Sequence, residues 1–72
     1  MNLPEDVQKA ISVINADKGY GYDGVANEAK VVASYISKFP DDVMYDHLRH
    51  FDIRVIASIG WNCNEVTDRV FK

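Results

Sequence analysis

Seventy-two residues make one domain, and a chain this short buries only about 60% of the surface it exposes when unfolded, so its core is marginal. An apolar fraction of 47% beside 26% charged residues belongs to a folded globular protein rather than a disordered one. A formal net charge of −3 weighs against general nucleic-acid binding, and no apolar run approaches the length of a membrane span.

The one cysteine, Cys63, has no partner for an internal disulfide, and no Cys/His spacing has the form of a zinc framework. Met1-Asn2-Leu3-Pro4 leads straight into charge, without the basic and apolar regions of a signal peptide. The expected setting is therefore reduced and cytoplasmic.

The chain reads as a series of short helices. Pro4 suits a helix start, Glu5 and Asp6 favour its positive end, and Val7, Ala10, Ile11 and Ile14 repeat at helical period. This predicts a helix over 4–18, with Lys18 in the last turn and Gly19 as a left-handed cap. The loop that follows spells G-x-G-x-x-G through Gly19, Gly21 and Gly24. A dinucleotide cradle needs a strand before that motif, and here a helix precedes it, so the loop is an interhelical turn with Asp23 as the next N-cap.

Residues 23–51 form the organising stretch. Val25, Ala29, Val32, Ala33 and Ile36 make one continuous stripe, while Lys30, Ser34, Ser37 and Lys38 fall off it. Pro40 ends that helix by restricting Phe39, then fits the first turn of a third helix opened by Asp41 and Asp42. Met44, His47, Leu48 and Phe51 supply the inward face of the third helix, with Val43 beside it.

The last 21 residues read two ways. Ile53, Val55, Ala57 and Ile59 alternate as a strand would, with Val66, Asp68 and Val70 as its partner in a hairpin. Alternatively Ile53, Ile56 and Ala57 form a helical stripe ending at Gly60, and Asn62-x-x-Glu65 has the form of a capping box for a further helix. The helical reading is preferred. The expected fold is an all-α, compact bundle of four to five short helices filling residues 1–72 as a single domain, and the alternative is three helices followed by a C-terminal β-hairpin.

Residues 52–72 also carry an apolar–small pair at Ile56-Ala57, a glycine at Gly60 and an apolar residue at Val66. That outline resembles a helix-turn-helix unit. It departs from the pattern in placing Ile56 where a small residue is usual, Trp61 after the glycine, and Arg69 at a normally apolar position. The resemblance implies DNA contacts from Arg54, Asn62, Asn64, Thr67, Arg69 and Lys72, although Glu65 and Asp68 share the face that would meet phosphate.

His47 and His50 stand one turn apart, but a metal site needs three or four ligands and only Asp46 or Cys63 could complete one. The bland reading places His47 beside Leu48 and Phe51 and pairs His50 with Asp46 at i, i+4. No metal, other cofactor or catalytic function is expected: Ser12, Ser34, Ser37 and Ser58 lack the signature of an activated nucleophile, and the acidic pairs sit where helix dipoles explain them. What remains is surface. Tyr20, Tyr22 and Trp61 lie between glycine or polar residues rather than on core stripes, and aromatics so placed are enriched at protein interfaces. Together with Tyr45 they are the candidate protein-binding residues. The sequence thus reads as a small non-enzymatic regulator, adaptor or inhibitor that binds another protein, with a homodimer as one form of that binding. A helix-turn-helix DNA-binding regulator is the alternative.

Overall fold

The computed structural model of the chain describes residues 3–19 and 21–70. Five α-helices account for most of them: α1 (Glu5–Ala16), α2 (Ala26–Ile36), α3 (Asp41–His50), α4 (Ile53–Asn62) and α5 (Asn64–Val70), with a 3₁₀ turn at Asp23–Val25 leading into α2. There is no strand among the described residues, so the hairpin alternative is wrong: residues 53–59 lie wholly within a helix.

Helix α2 is central and lies against α1, α3, α4 and the 3₁₀ turn. Its stripe is the one the sequence shows, with Ala29, Val32, Ala33 and Ile36 buried and Val25 sealing its start. From α1 come Val7, Ala10 and Ile14, from α3 Met44, from α4 Val55 and Ile59, and from α5 Val66. Leu48 and Phe51 pack against that core from partly exposed positions. Among the described residues no helix is long and apolar enough to cross a membrane.

The helix ends differ from the sequence reading, each for an identifiable reason. Pro4 and Pro40 take extended ψ angles of 153° and 162° and stand at the N-cap, so α1 and α3 begin one residue later, at Glu5 and Asp41. Helix α1 stops at Ala16 rather than 18, because Asp17 turns into extended backbone and its carbonyl accepts a hydrogen bond from Arg54 on α4. Gly19 is not the left-handed cap; that conformation falls to Gly21, at φ 100°. Asp23 opens the 3₁₀ turn instead of capping α2 with its side chain.

The largest correction concerns α4. The stripe Ile53, Ile56, Ala57 does not face inward: Val55, Ser58 and Ile59 are the buried residues, and Ile53 is 76% exposed. Nor does the helix end at Gly60. It continues through Trp61 to Asn62, and the break comes at Cys63 (φ −129°, ψ 89°). The Asn62–Glu65 capping box is therefore not formed: Asn62 is the last residue of α4, and its amide turns back to donate to the carbonyls of Ser58 and Tyr22 at 3.0 and 2.9 Å.

Candidate protein-binding face

At 100° per residue, Ile53, Ala57 and Gly60 fall within about 60° of one another on the side of α4 opposite Val55, Ser58 and Ile59. Ile56 and Trp61 lie on the two flanks of that ridge. The one charged residue in α4, Arg54, is directed to the carbonyl of Asp17 and lies 5.9 Å from the centre of the Tyr22 ring. The outer face is thus apolar from Ile53 to Trp61, a length of about 12 Å. A surface helix ordinarily turns polar side chains to water, and a helix that is apolar all round is ordinarily buried.

Trp61 is 61% exposed, yet it is not loose. Its indole N–H donates to the Asp23 carboxylate at 2.8 Å, which leaves the apolar body of the ring outward with its polar atom satisfied. An aromatic already held in place loses little side-chain entropy when a partner covers it. The backbone behind it is fixed by the Asn62 amide, which spans from the end of α4 to the Tyr22 carbonyl. Gly60 is the anomaly. Glycine inside a helix costs about 0.5–1 kcal/mol relative to alanine, and a methyl group added here would meet nothing within 4 Å. Nothing within the described molecule requires glycine at that position.

Of the candidate protein-binding aromatics, Trp61 and Tyr22 come together where the 3₁₀ turn meets α4. Tyr22 is half-buried, packs on the core and supports Arg54, so it braces the fold as well as bordering the face. Tyr45 is 40% exposed and donates its hydroxyl to the Arg69 carbonyl at 3.1 Å, which places it at the contact of α3 with α5. Tyr20 lies outside the described residues.

The residues implied by the helix-turn-helix resemblance are mostly engaged inside the molecule. Arg69 bonds Asp41 at 2.6 and 3.1 Å and donates to the carbonyls of Ser37 and Phe39 at 3.2 and 3.1 Å. It clasps the C-terminal end of α2 and the start of α3 to α5. Thr67 donates within its own region to the Cys63 carbonyl at 3.1 Å, and Arg54 and Asn62 are committed as described. Asn64 is exposed, and Lys72 lies outside the described residues. The glycine of the outline sits within α4, three residues before the actual break.

His47 is buried with its ring 5.5 Å from Tyr35, 5.3 Å from Phe39 and 6.2 Å from Phe51, a more complete enclosure than the sequence implied. His50 stays outside, 3.8 Å from Asp46 as the i, i+4 spacing anticipates. Among the described residues no three His, Cys, Asp or Glu side chains are placed to share a metal. Cys63 lines an open groove of about 590 Å³ between α2 and the α4–α5 junction, with Lys30, Ser34 and Glu65 on its walls. Burial holds the Cys63 thiol above the usual thiol range; Lys30 opposes the rise and Glu65 adds to it.

Sequence reasoning assigned the Ile53, Ile56, Ala57 stripe to the core and so missed Ile53 as an exposed residue and Ile56 and Ala57 as half-buried ones, and it ended the helix at Gly60, which lies within it. The available signal was that Ile53–Asn62 contains a second stripe, Val55 and Ile59, and a single charge. No protein-family model matches the chain, and no curated protein and no solved structure matches it.

Proposed function

We propose that this chain is a small, non-enzymatic protein-binding regulator, adaptor or inhibitor that docks through the outer face of α4, with Trp61 as its anchor. The observation that carries this reading is the apolar exterior of α4, where Ile53 is 76% and Trp61 61% exposed while the helix's one charged side chain, Arg54, is turned to the Asp17 carbonyl. Exposed apolar surface of that kind is stabilised by a protein partner that removes it from water, and a prepositioned tryptophan is the residue type that most often dominates such contacts. A catalytic reading finds less support, since Ser58 is buried in α4 and the Cys63 thiol is held in its protonated, less nucleophilic form. The DNA-binding alternative is weakened because Arg54 and Arg69 already serve internal carbonyls and carboxylates rather than facing outward together.

The test is a photo-cross-linking residue placed at Ile56 and, as a control, at Val13 on the exposed side of α1, with the protein expressed in its own host. A discrete protein adduct from position 56, absent from position 13 and lost when Trp61→Ala is added, is the expected result. Equal labelling from both positions, or no protein adduct from either, would refute the docking face.

A further inference from the structure

We infer that the occupant of the α4 face is a second copy of this chain, packed as an antiparallel, two-fold α4–α4 pair. The inference rests on the reading of α4 as a docking face and names what docks there. Three observations favour a like-with-like contact. The first is shape. In an antiparallel pair centred near Ala57, the projecting Ile53 of each copy falls between Ala57, Gly60 and Trp61 of the other, as a knob enters a hole formed by neighbouring turns. That arrangement covers the two most exposed apolar residues at once, and it gives Gly60 the function it lacks in the single molecule. The space beyond its α-carbon, open to at least 4 Å, is where the incoming isoleucine sits.

The second observation is charge. Each chain carries a net −3, so two copies repel through most of their surfaces, whereas the ridge of Ile53, Ala57 and Gly60 on α4 carries no charged side chain to oppose its own image. Antiparallel helices also oppose their dipoles favourably. The third is the flank. The two-fold keeps Arg54 and Trp61 on the same side of the seam, so the Asp23 carboxylate bonded to Trp61 of one copy shares a flank with Arg54 of the other. That guanidinium stays on the Asp17 carbonyl, and opposite rather than like charges border the edge. A contact on one short helix lies at the small end of specific interfaces, below about 1,200 Å² in total, so the pair forms in a concentration-dependent equilibrium rather than permanently.

The experiment is sedimentation equilibrium across a concentration series, paired with emission from the chain's single tryptophan. The wild type is expected to pass from monomer to dimer as concentration rises, with Trp61 emission shifting to the blue over the same range. Ile53→Glu should remove both changes while leaving the melting temperature of dilute protein unaltered. Gly60→Ala separates pairing from folding: it should raise the melting temperature of the dilute monomer yet weaken the dimer by roughly tenfold or more. A monomer at every concentration, or a dimer indifferent to both substitutions, would overturn the inference. In either case the adduct from position 56 tells the two claims apart. An adduct with a different protein leaves the docking face standing with another occupant, and no adduct removes both.

Discussion

Helices α2 and α4 are neighbours of nearly equal length, and they divide their residues differently. Helix α2 has one apolar stripe, fully buried, and shows Asn27, Lys30 and Ser34 to solvent. Helix α4 has two. Its inner stripe of Val55 and Ile59 meets the core, and its outer one, Ile53, Ile56 and Ala57, does not. Folding of the single molecule buries the whole α2 stripe and leaves Val31, at 37%, as that helix's one exposed large apolar residue, whereas on α4 it buries only Val55 and Ile59 and leaves Ile53 and Trp61 at 76% and 61%. Full burial of an isoleucine is worth roughly 1.5–3 kcal/mol, a stabilisation that Ile53 leaves largely unused at 76% exposure. Val13, Val31 and Val43 are each exposed singly at 36–42%, whereas α4 carries the two most exposed large apolar residues among the described ones, which is why function is sought there.

The comparison breaks most readily at α2. Val32→Asp or Ile36→Asp places an unpaired charge at a site with 0% exposure, and the penalty of several kcal/mol exceeds what a domain of this size can absorb. Circular dichroism should show an unfolded chain; a native-like melt for either would mean that α2 is not central.

Next in size is Arg69→Ala, which opens the clasp at the end of α2 and leaves two backbone carbonyls without their donor. Loss of about 1–3 kcal/mol is expected in chemical denaturation, and Arg69→Lys should recover only part of it because an ammonium cannot reach Asp41, Ser37 and Phe39 together. An unchanged denaturation midpoint would show that the clasp is not formed in solution.

A smaller effect is expected from Cys63, where α4 ends facing α2. Its folded thiol titrates above the unfolded one because burial disfavours thiolate, so the unfolded state loses its proton first as pH rises. Stability from this group is complete below the unfolded thiol's pKa and declines as pH climbs towards the folded value. Cys63→Ser should flatten that alkaline decline; an identical decline in the variant would assign it elsewhere. Smallest of all are Lys30→Ala, at an exposed position of α2, and Ser37→Ala, at its C-cap, which should shift stability, read from the denaturation midpoint, by only a few tenths of a kcal/mol.

How much the sequence disclosed follows the same division. The all-α bundle, the α2 stripe and the role of Pro40 in separating α2 from α3 are local patterns of period and punctuation, and they survive. The caps at Gly19, Asp23 and Asn62 do not, because long-range partners take over their groups: Arg54 draws out the Asp17 carbonyl, Trp61 occupies Asp23, and Tyr22 receives Asn62. Those contacts join residues 37 to 40 positions apart, beyond the reach of any local pattern. Arg69 is similar, a polar residue at an apolar position whose explanation lies in α2 and α3. Trp61 was legible as a residue outside the core stripes, and it is indeed exposed, though on a helix rather than a turn. Which of the two α4 stripes faces inward was not legible, since periodicity alone gives both the same weight.

The account depends on that orientation, and paired thermal melts of Val55→Glu and Ile53→Glu in dilute solution measure it most directly. Val55 has 0% exposure and Ile53 has 76%. The account predicts that Val55→Glu abolishes the cooperative transition and Ile53→Glu melts like the wild type. An Ile53→Glu melt as damaged as that of Val55→Glu would place the outer stripe inside and contradict the docking face.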